Sequence, residues 1–117
     1  MACQAEEFFR ALGDETRLRC VALLQAEGEL CVCELTHALG LAQPKVSRHL
    51  AQLRNAGVVA SHRRGTWMHY MLHPELPDWA RRVVAEWAAA CADRAPFAED
   101  RRALQAMPDR PEKACCA

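Results

Sequence analysis

The chain reads as mainly α-helical with a β-hairpin wing, a winged helix-turn-helix, on three observations. Helical periodicity fills the first half, with Gly13, Gly28, Gly40 and Gly57 standing where helices should stop. Two β-prone runs then flank a glycine-containing turn, and a last apolar-striped helix follows two prolines. From Leu35 to Pro74 there is no Asp or Glu, while Lys45, Arg48, Arg54, Arg63, Arg64 and all five histidines fall there. That block is +5 and the remainder −5, inside a chain of net charge zero. A basic block in a neutral protein is the electrostatic footprint of nucleic-acid binding.

Each element follows from local signals. Residues 4–12 form a short amphipathic stretch with Phe8, Phe9 and Leu12 on one side. Asp14 reads as the N-cap of a second helix, Glu15 to about Ala26, with Glu15 favouring its positive end. Leu18, Val21, Ala22 and part of Leu23-Leu24 are its expected buried side. A third helix starts near Cys31 or Val32 and closes at Gly40. After a tight turn, Pro44 suits the first turn of a fourth helix, where its missing N–H costs nothing. Val46, Leu50 and Leu53 recur at i, i+4, i+7 as a buried stripe. Val58–Arg63 and Trp67–Leu72 make the hairpin, its tip carrying Arg63 and Arg64. Pro74 and Pro77 precede a helix over about 78–92 striped by Trp79, Val83, Trp87, Ala90 and Cys91. A marginal helix is expected near Glu99–Met107. The division expected is a DNA-binding and dimerisation domain over 1–95 and a flexible charged tail over 96–117 bearing Cys115-Cys116. The first and last helices carry more apolar residues than one small domain requires, so a homodimer through them is expected.

At 117 residues and 51% hydrophobic, the composition is that of an ordinary soluble domain. No apolar run approaches the ~18–20 residues of a membrane span, and the N-terminus has no signal-peptide pattern. No membrane partner and a cytoplasmic location are the expectation. Seven cysteines in the reducing cytosol, in C-x-C and C-C spacings, point to soft-metal chemistry rather than a disulfide framework. Cys20 falls among apolar residues and reads as core, and Cys91 as packed on the last helix.

On the fourth helix the apolar stripe leaves Gln43, Lys45, Ser47, Arg48 and His49 on the other face. Gln43, Ser47, Arg48 and His49 are candidates for base edges in the major groove. Lys45, Arg54, Arg63 and Arg64 are candidates for phosphate contacts that set register and make binding salt-dependent.

Glu29-Leu30-Cys31-Val32-Cys33-Glu34-Leu35, Gln43-Pro44-Lys45-Val46-Ser47-Arg48-His49-Leu50, Leu53-Arg54-Asn55-Ala56-Gly57-Val58-Val59 and Gly65-Thr66-Trp67-Met68-His69-Tyr70 together resemble the ArsR/SmtB metalloregulatory repressors. Asp14-Glu15-Thr16-Arg17-Leu18-Arg19 also matches, and the resemblance covers about residues 5–92. It is closest to the arsenical-resistance repressors. It implies a homodimeric repressor that binds double-stranded operator DNA and releases it when As(III) or Sb(III) binds Cys31 and Cys33, with no organic cofactor. Many members place a further cysteine three residues after the second; here that position is Thr36. The third thiol must come from Cys3, Cys115 or Cys116, or a small molecule must stand in.

Thiolates suit trivalent arsenic and antimony because both are soft. The positive end of a helix dipole favours an anion at Cys31 and Cys33. Two residues apart on a regular helix, they would point about 200° apart. Capture of one atom is therefore expected to distort the first turn and shift the recognition helix.

Three other readings compete, one of them a purely redox-switched repressor, which a response to peroxide without metal would separate. A repressor sensing cadmium or lead would add N-terminal cysteines, of which only Cys3 exists. A zinc sensor would use His and acidic residues on the last helix, where Asp78 and Glu86 stand without His. Histidines 62, 69 and 73 near the wing read as packed or solvated rather than as a zinc site. An arsenate-reductase-like thiol enzyme needs a Cys-x5-Arg loop, but His37 and Leu39 stand six residues after Cys31 and Cys33. No Cys-x-x-Cys pair is present either.

Overall fold

A computed structural model describes residues 4–108 and Arg110. The elements run α1 (Ala5–Leu12), α2 (Glu15–Glu27), β1 (Glu29–Cys31), α3 (Val32–Leu39), α4 (Gln43–Asn55), β2 (Val59–Arg64), β3 (Trp67–Leu72), α5 (Asp78–Cys91) and α6 (Phe97–Gln105). The three strands form one antiparallel sheet in the order β1-β3-β2. No helix among the described residues is long and apolar enough to cross a membrane.

The expected stops and caps are where the local chemistry puts them. Asp14 caps α2 by accepting the Arg17 backbone N–H at 3.2 Å. Gly40 ends α3 in the left-handed region, φ +67°, and makes the turn into α4. Pro44 occupies the first turn of α4, and Val46, Leu50 and Leu53 are fully buried. The hairpin pairs Val59 with Leu72 through Arg64 with Trp67, leaving Arg63 and Arg64 exposed.

Several expectations need correcting. The stretch before α3 is a strand: β1 lies along β3 with Glu29 opposite Met71, Leu30 opposite Tyr70 and Cys31 opposite His69. Three residues are too few for an alternating pattern to announce a strand. On α2, Leu18 and Ala22 are half-buried, whereas Leu23 and Leu24 are both buried. Covered by α4, α5, α6 and the sheet, α2 is a central helix buried on more than one side. Phe9 turns outward, 53% exposed, while Phe8 is buried against Trp79. On α5 the buried positions are Ala80 and Val84, and the Trp79, Val83, Trp87 stripe lies half-exposed.

The largest correction concerns the C-terminal region. The helix expected to be marginal is fully packed: Ala98, Asp100 and Leu104 are buried, and α6 lies against α2 and α3. Arg19 of α2 grips Asp100 with two 2.8 Å hydrogen bonds and donates a third, 3.0 Å, to the carbonyl of Leu39 at the end of α3. The Asp100 hydrogen bond, working against the desolvation of the guanidinium, raises the Arg19 pKa. A boundary at 95/96 would therefore cut through a packed body. Phe97–Gln105 is not a flexible tail.

Candidate functional site

Cys31 is the N-cap of α3 and the last residue of β1, with extended backbone at φ −84° and ψ 163°. Cys33 sits one residue inside the helix. The 200° separation of two helical positions therefore does not apply, because one of the two is not helical. The two Sγ atoms lie side by side, 2.6 Å apart. Cys31 is fully buried and Cys33 partly exposed, so the pair opens to solvent through Cys33. The pair therefore starts side by side rather than on opposite sides of a helix.

Glu34 organises this end of the helix. It is buried, and its Oε1 accepts the backbone N–H of Cys31 at 2.9 Å, half of a capping box. Its Oε2 accepts Nε–H of Arg110 at 2.8 Å, and Arg110 also pairs with Glu27 at 3.6 Å. Thr36, standing where a third cysteine is usual, donates its hydroxyl to the carbonyl of Val32 at 2.8 Å. Cys3, Cys115 and Cys116 lie outside the described residues. Cys20 is buried in the core, where desolvation pushes its thiol up to about 12. A thiol held protonated in this way makes a poor metal ligand. Among the described residues no group of three His, Cys, Asp or Glu side chains stands ready to hold a metal ion.

The sheet ties the cysteine pair to the wing. Glu29 Oε2 accepts from Arg64 at 3.1 Å and lies 3.0 Å from His62 Nε2 and 3.4 Å from His69 Nδ1. Burial would raise the Glu29 carboxyl, but hydrogen bonds from His62 and Arg64, with the charges of His62 and His69, hold it below the ordinary carboxylate range. His69, opposite Cys31, is buried with its Nε2 unpartnered; desolvation, and then Arg64, push its pKa down.

On α4, Gln43, Lys45, Arg48 and Arg54 are exposed, and Ser47 is half-buried at the same surface. His49 departs from that face. It is half-buried, with Nδ1 3.3 Å from Arg17 Nη1 and 3.9 Å from an Asp14 oxygen. Desolvation lowers its pKa against the opposing pull of Asp14, and the charges of Arg17, Lys45 and Arg48 add to the lowering. Arg17 was missed from sequence. Its guanidinium donates to the carbonyl of Ala11 at 2.6 Å and to the side-chain oxygen of Gln52, stapling α1 and α2 to α4. Arg110 was missed as well. Arg17 reaches His49 and Gln52 across 32 and 35 residues, and Arg110 reaches Glu34 across 76, beyond any local pattern.

The family described as "Bacterial regulatory protein, arsR family" matches residues 14–61, from the α2 cap into the wing. The arsenic resistance transcriptional regulator ArsR1 of Pseudomonas putida is 48% identical over 104 residues, covering 89% of this chain and 80% of that protein. The arsenical resistance operon repressor of Escherichia coli is 50% identical over 80 residues, 68% of each chain. The crystal structure of the AntR antimony-specific transcriptional repressor superposes with a TM-score of 0.61 at 27% identity, covering 74% of this chain and 75% of that one.

Proposed function

The chain belongs to the arsR family of bacterial regulatory proteins, and from that premise we propose that it is a metalloid-responsive transcriptional repressor. It holds operator DNA through α4 and the wing, and releases it when Cys31 and Cys33 capture trivalent arsenic or antimony. The observation that carries this reading is the convergence of the two Sγ atoms, 2.6 Å apart, on the helix that packs against α4. A soft, thiophilic centre is the ligand such a pair suits. Thr36 offers a hard hydroxyl already committed to the Val32 carbonyl, so the third donor comes from elsewhere: Cys115, Cys116 or Cys3.

Cys31 belongs at once to the sheet and to α3, since it pairs with His69 and its N–H is held by Glu34. An atom bound between Cys31 and Cys33 would push apart two Sγ atoms that now touch, shifting that junction, and α3 would carry the motion to α4. A coupling of about 1–3 kcal/mol would change operator affinity roughly 5–150-fold.

Gln43, Ser47 and Arg48 face the base edges, and Lys45, Arg54, Arg63 and Arg64 the phosphates. His49 serves chiefly to hold α4 on α2. Phe9, Trp79 and Val83 line an apolar face that a second copy covers, placing two α4 helices over half-sites about one DNA turn apart. The protein acts as a regulator rather than an enzyme, and no organic cofactor enters the reading.

The test is operator binding by fluorescence anisotropy, titrated with arsenite, antimonite, cadmium and zinc. Release by arsenite or antimonite, abolished in Cys31→Ser/Cys33→Ser, is expected. Release by cadmium alone would turn the reading to a divalent-metal sensor.

A further inference from the structure

The sheet carries a row of side chains from the cysteine pair to the wing. Residues directly opposite each other in an antiparallel pair project to the same face, and so do residues two apart along a strand. Cys31 stands opposite His69, and His69 opposite His62, so these three form one row across β1, β3 and β2. Glu29, two residues before Cys31, and Arg64, two residues after His62, share that face in the rows on either side.

A single oxygen gathers the row. Glu29 Oε2 accepts from Arg64 Nη1 at 3.1 Å and lies 3.0 Å from His62 Nε2 and 3.4 Å from His69 Nδ1. β1 and β2 are not neighbours in the sheet, so this carboxylate links them across the intervening β3. His69, in the middle of the row, is buried, and its Nε2 finds no hydrogen-bond partner among the described residues. Its ring stacks on His62 with centroids 5.8 Å apart. The Arg64 side chain is 60% exposed at the wing tip. Exposed ion pairs contribute little to stability, so the worth of this link is geometric. β1 is three residues long, and the Cα atoms of Glu29 and Cys31 are about 7 Å apart on one extended segment. A displacement of Cys31 therefore carries Glu29 with it.

We propose that Glu29 is a positioning residue that ties the wing to the cysteine junction, and that capture at Cys31 and Cys33 reaches Arg64 through it. This is a second route to DNA beside the one through α3 and α4. It rests on the metalloid-repressor reading and adds no ligand to the site. With the pair empty, Glu29 holds Arg64 and His62 where the operator phosphates meet the wing. When the captured atom shifts β1, the carboxylate moves with it, Arg64 is misplaced and the wing lets go. Glu29 itself touches neither the metalloid nor DNA.

The experiment uses the full chain, operator DNA and arsenite. Isothermal titration gives the arsenite affinity of the free protein. Anisotropy gives the release ratio, the operator dissociation constant at saturating arsenite divided by that without it. Glu29→Gln removes the charge that gathers the cluster at nearly constant size. It should bind arsenite as wild type does, while its release ratio falls by roughly 2–30-fold, the range by which residues along a coupling route alter it. By reciprocity, arsenite binding to the protein–operator complex should strengthen by the same factor. Arg64→Gln, at an exposed position that spares the core, should lower the ratio likewise, and Arg64→Lys, which keeps a cation for Glu29, should restore it. In Glu29→Gln/Arg64→Gln the ratio should fall no further than in Glu29→Gln alone, because both cut one link. A wild-type ratio in either single variant, or losses that multiply in the double variant, overturns the proposal and leaves the repressor reading standing. Weakened arsenite binding to free Glu29→Gln also overturns it, since Glu29 would then serve the cysteine site itself. Wild-type protein that arsenite fails to release from DNA would remove the repressor reading and this route together.

Discussion

At the start of α3, a buried carboxylate takes hydrogen bonds from Cys31 and from Arg110, 76 residues away, and the residue it caps is also a strand residue paired with the wing. On the adjoining helix, Gln43, Lys45, Arg48 and Arg54 stand exposed along one face, while Val46, Leu50 and Leu53 fill the core beneath. One region is dense with long-range bonds and nearly closed to water; the other is polar and open. The difference teaches where a signal can enter. An exposed helix face can meet a rigid external surface such as DNA, but a ligand there would compete with it. A buried junction of sheet, helix and C-terminal strap can be reset by a small ligand and can pass the displacement on, because every element meeting there must respond.

Substitutions can break or sharpen that contrast. Glu34→Ala should have the largest effect on the fold. It leaves the Cys31 N–H and the Arg110 guanidinium without their buried acceptor, at a cost of about 3 kcal/mol, read from urea unfolding. A loss under about 0.5 kcal/mol would mean that the junction is not the rigid region described. The opposite pattern is expected on the open face. Lys45→Ala/Arg54→Ala, both exposed, should change stability by less than about 0.5 kcal/mol. It should still weaken operator binding and lower the slope of log K against log salt by about 2 in magnitude, one for each lost phosphate contact. An unchanged salt slope would remove these residues from the interface.

Gly40→Ala probes the hinge between the two regions. A Cβ there meets nothing within 4 Å, so the cost is the φ of +67° alone, about 1 kcal/mol by thermal unfolding. A larger loss would show that the α3–α4 turn tolerates no adjustment. The smallest expected effect is on pH dependence. His49 and His69 both have folded pKa values below 6.5, so the unfolded chain binds more protons as pH falls from there. Their contribution is fully present above pH 6.5 and is lost as pH drops through the folded values. His49→Gln should therefore lose less stability than wild type between pH 7.5 and 5.5. An equal loss would assign the titration elsewhere.

Local chemistry made much of the molecule legible from the chain. The Asp14 cap, the Gly40 stop, Pro44 in the first turn and the Val46, Leu50, Leu53 stripe all act within a turn or two of chain, so propensity and periodicity report them. The hairpin was legible because its two runs flank their own turn. The Cys31, Cys33 spacing and the acid-free block from Leu35 to Pro74 need no structure to be seen. Packing decided the rest. β1 exists because β3 offers it an edge, and that extended backbone swings Cys31 toward Cys33 instead of leaving the thiols on opposite sides of a helix. His49 turns from the open face because Arg17 and Asp14 reach it from α2. α6 is held by Arg19, 81 residues earlier, rather than by its own propensity. Contacts between residues so far apart in the chain are set by which surfaces the whole fold brings together, and no window of neighbouring residues encodes them.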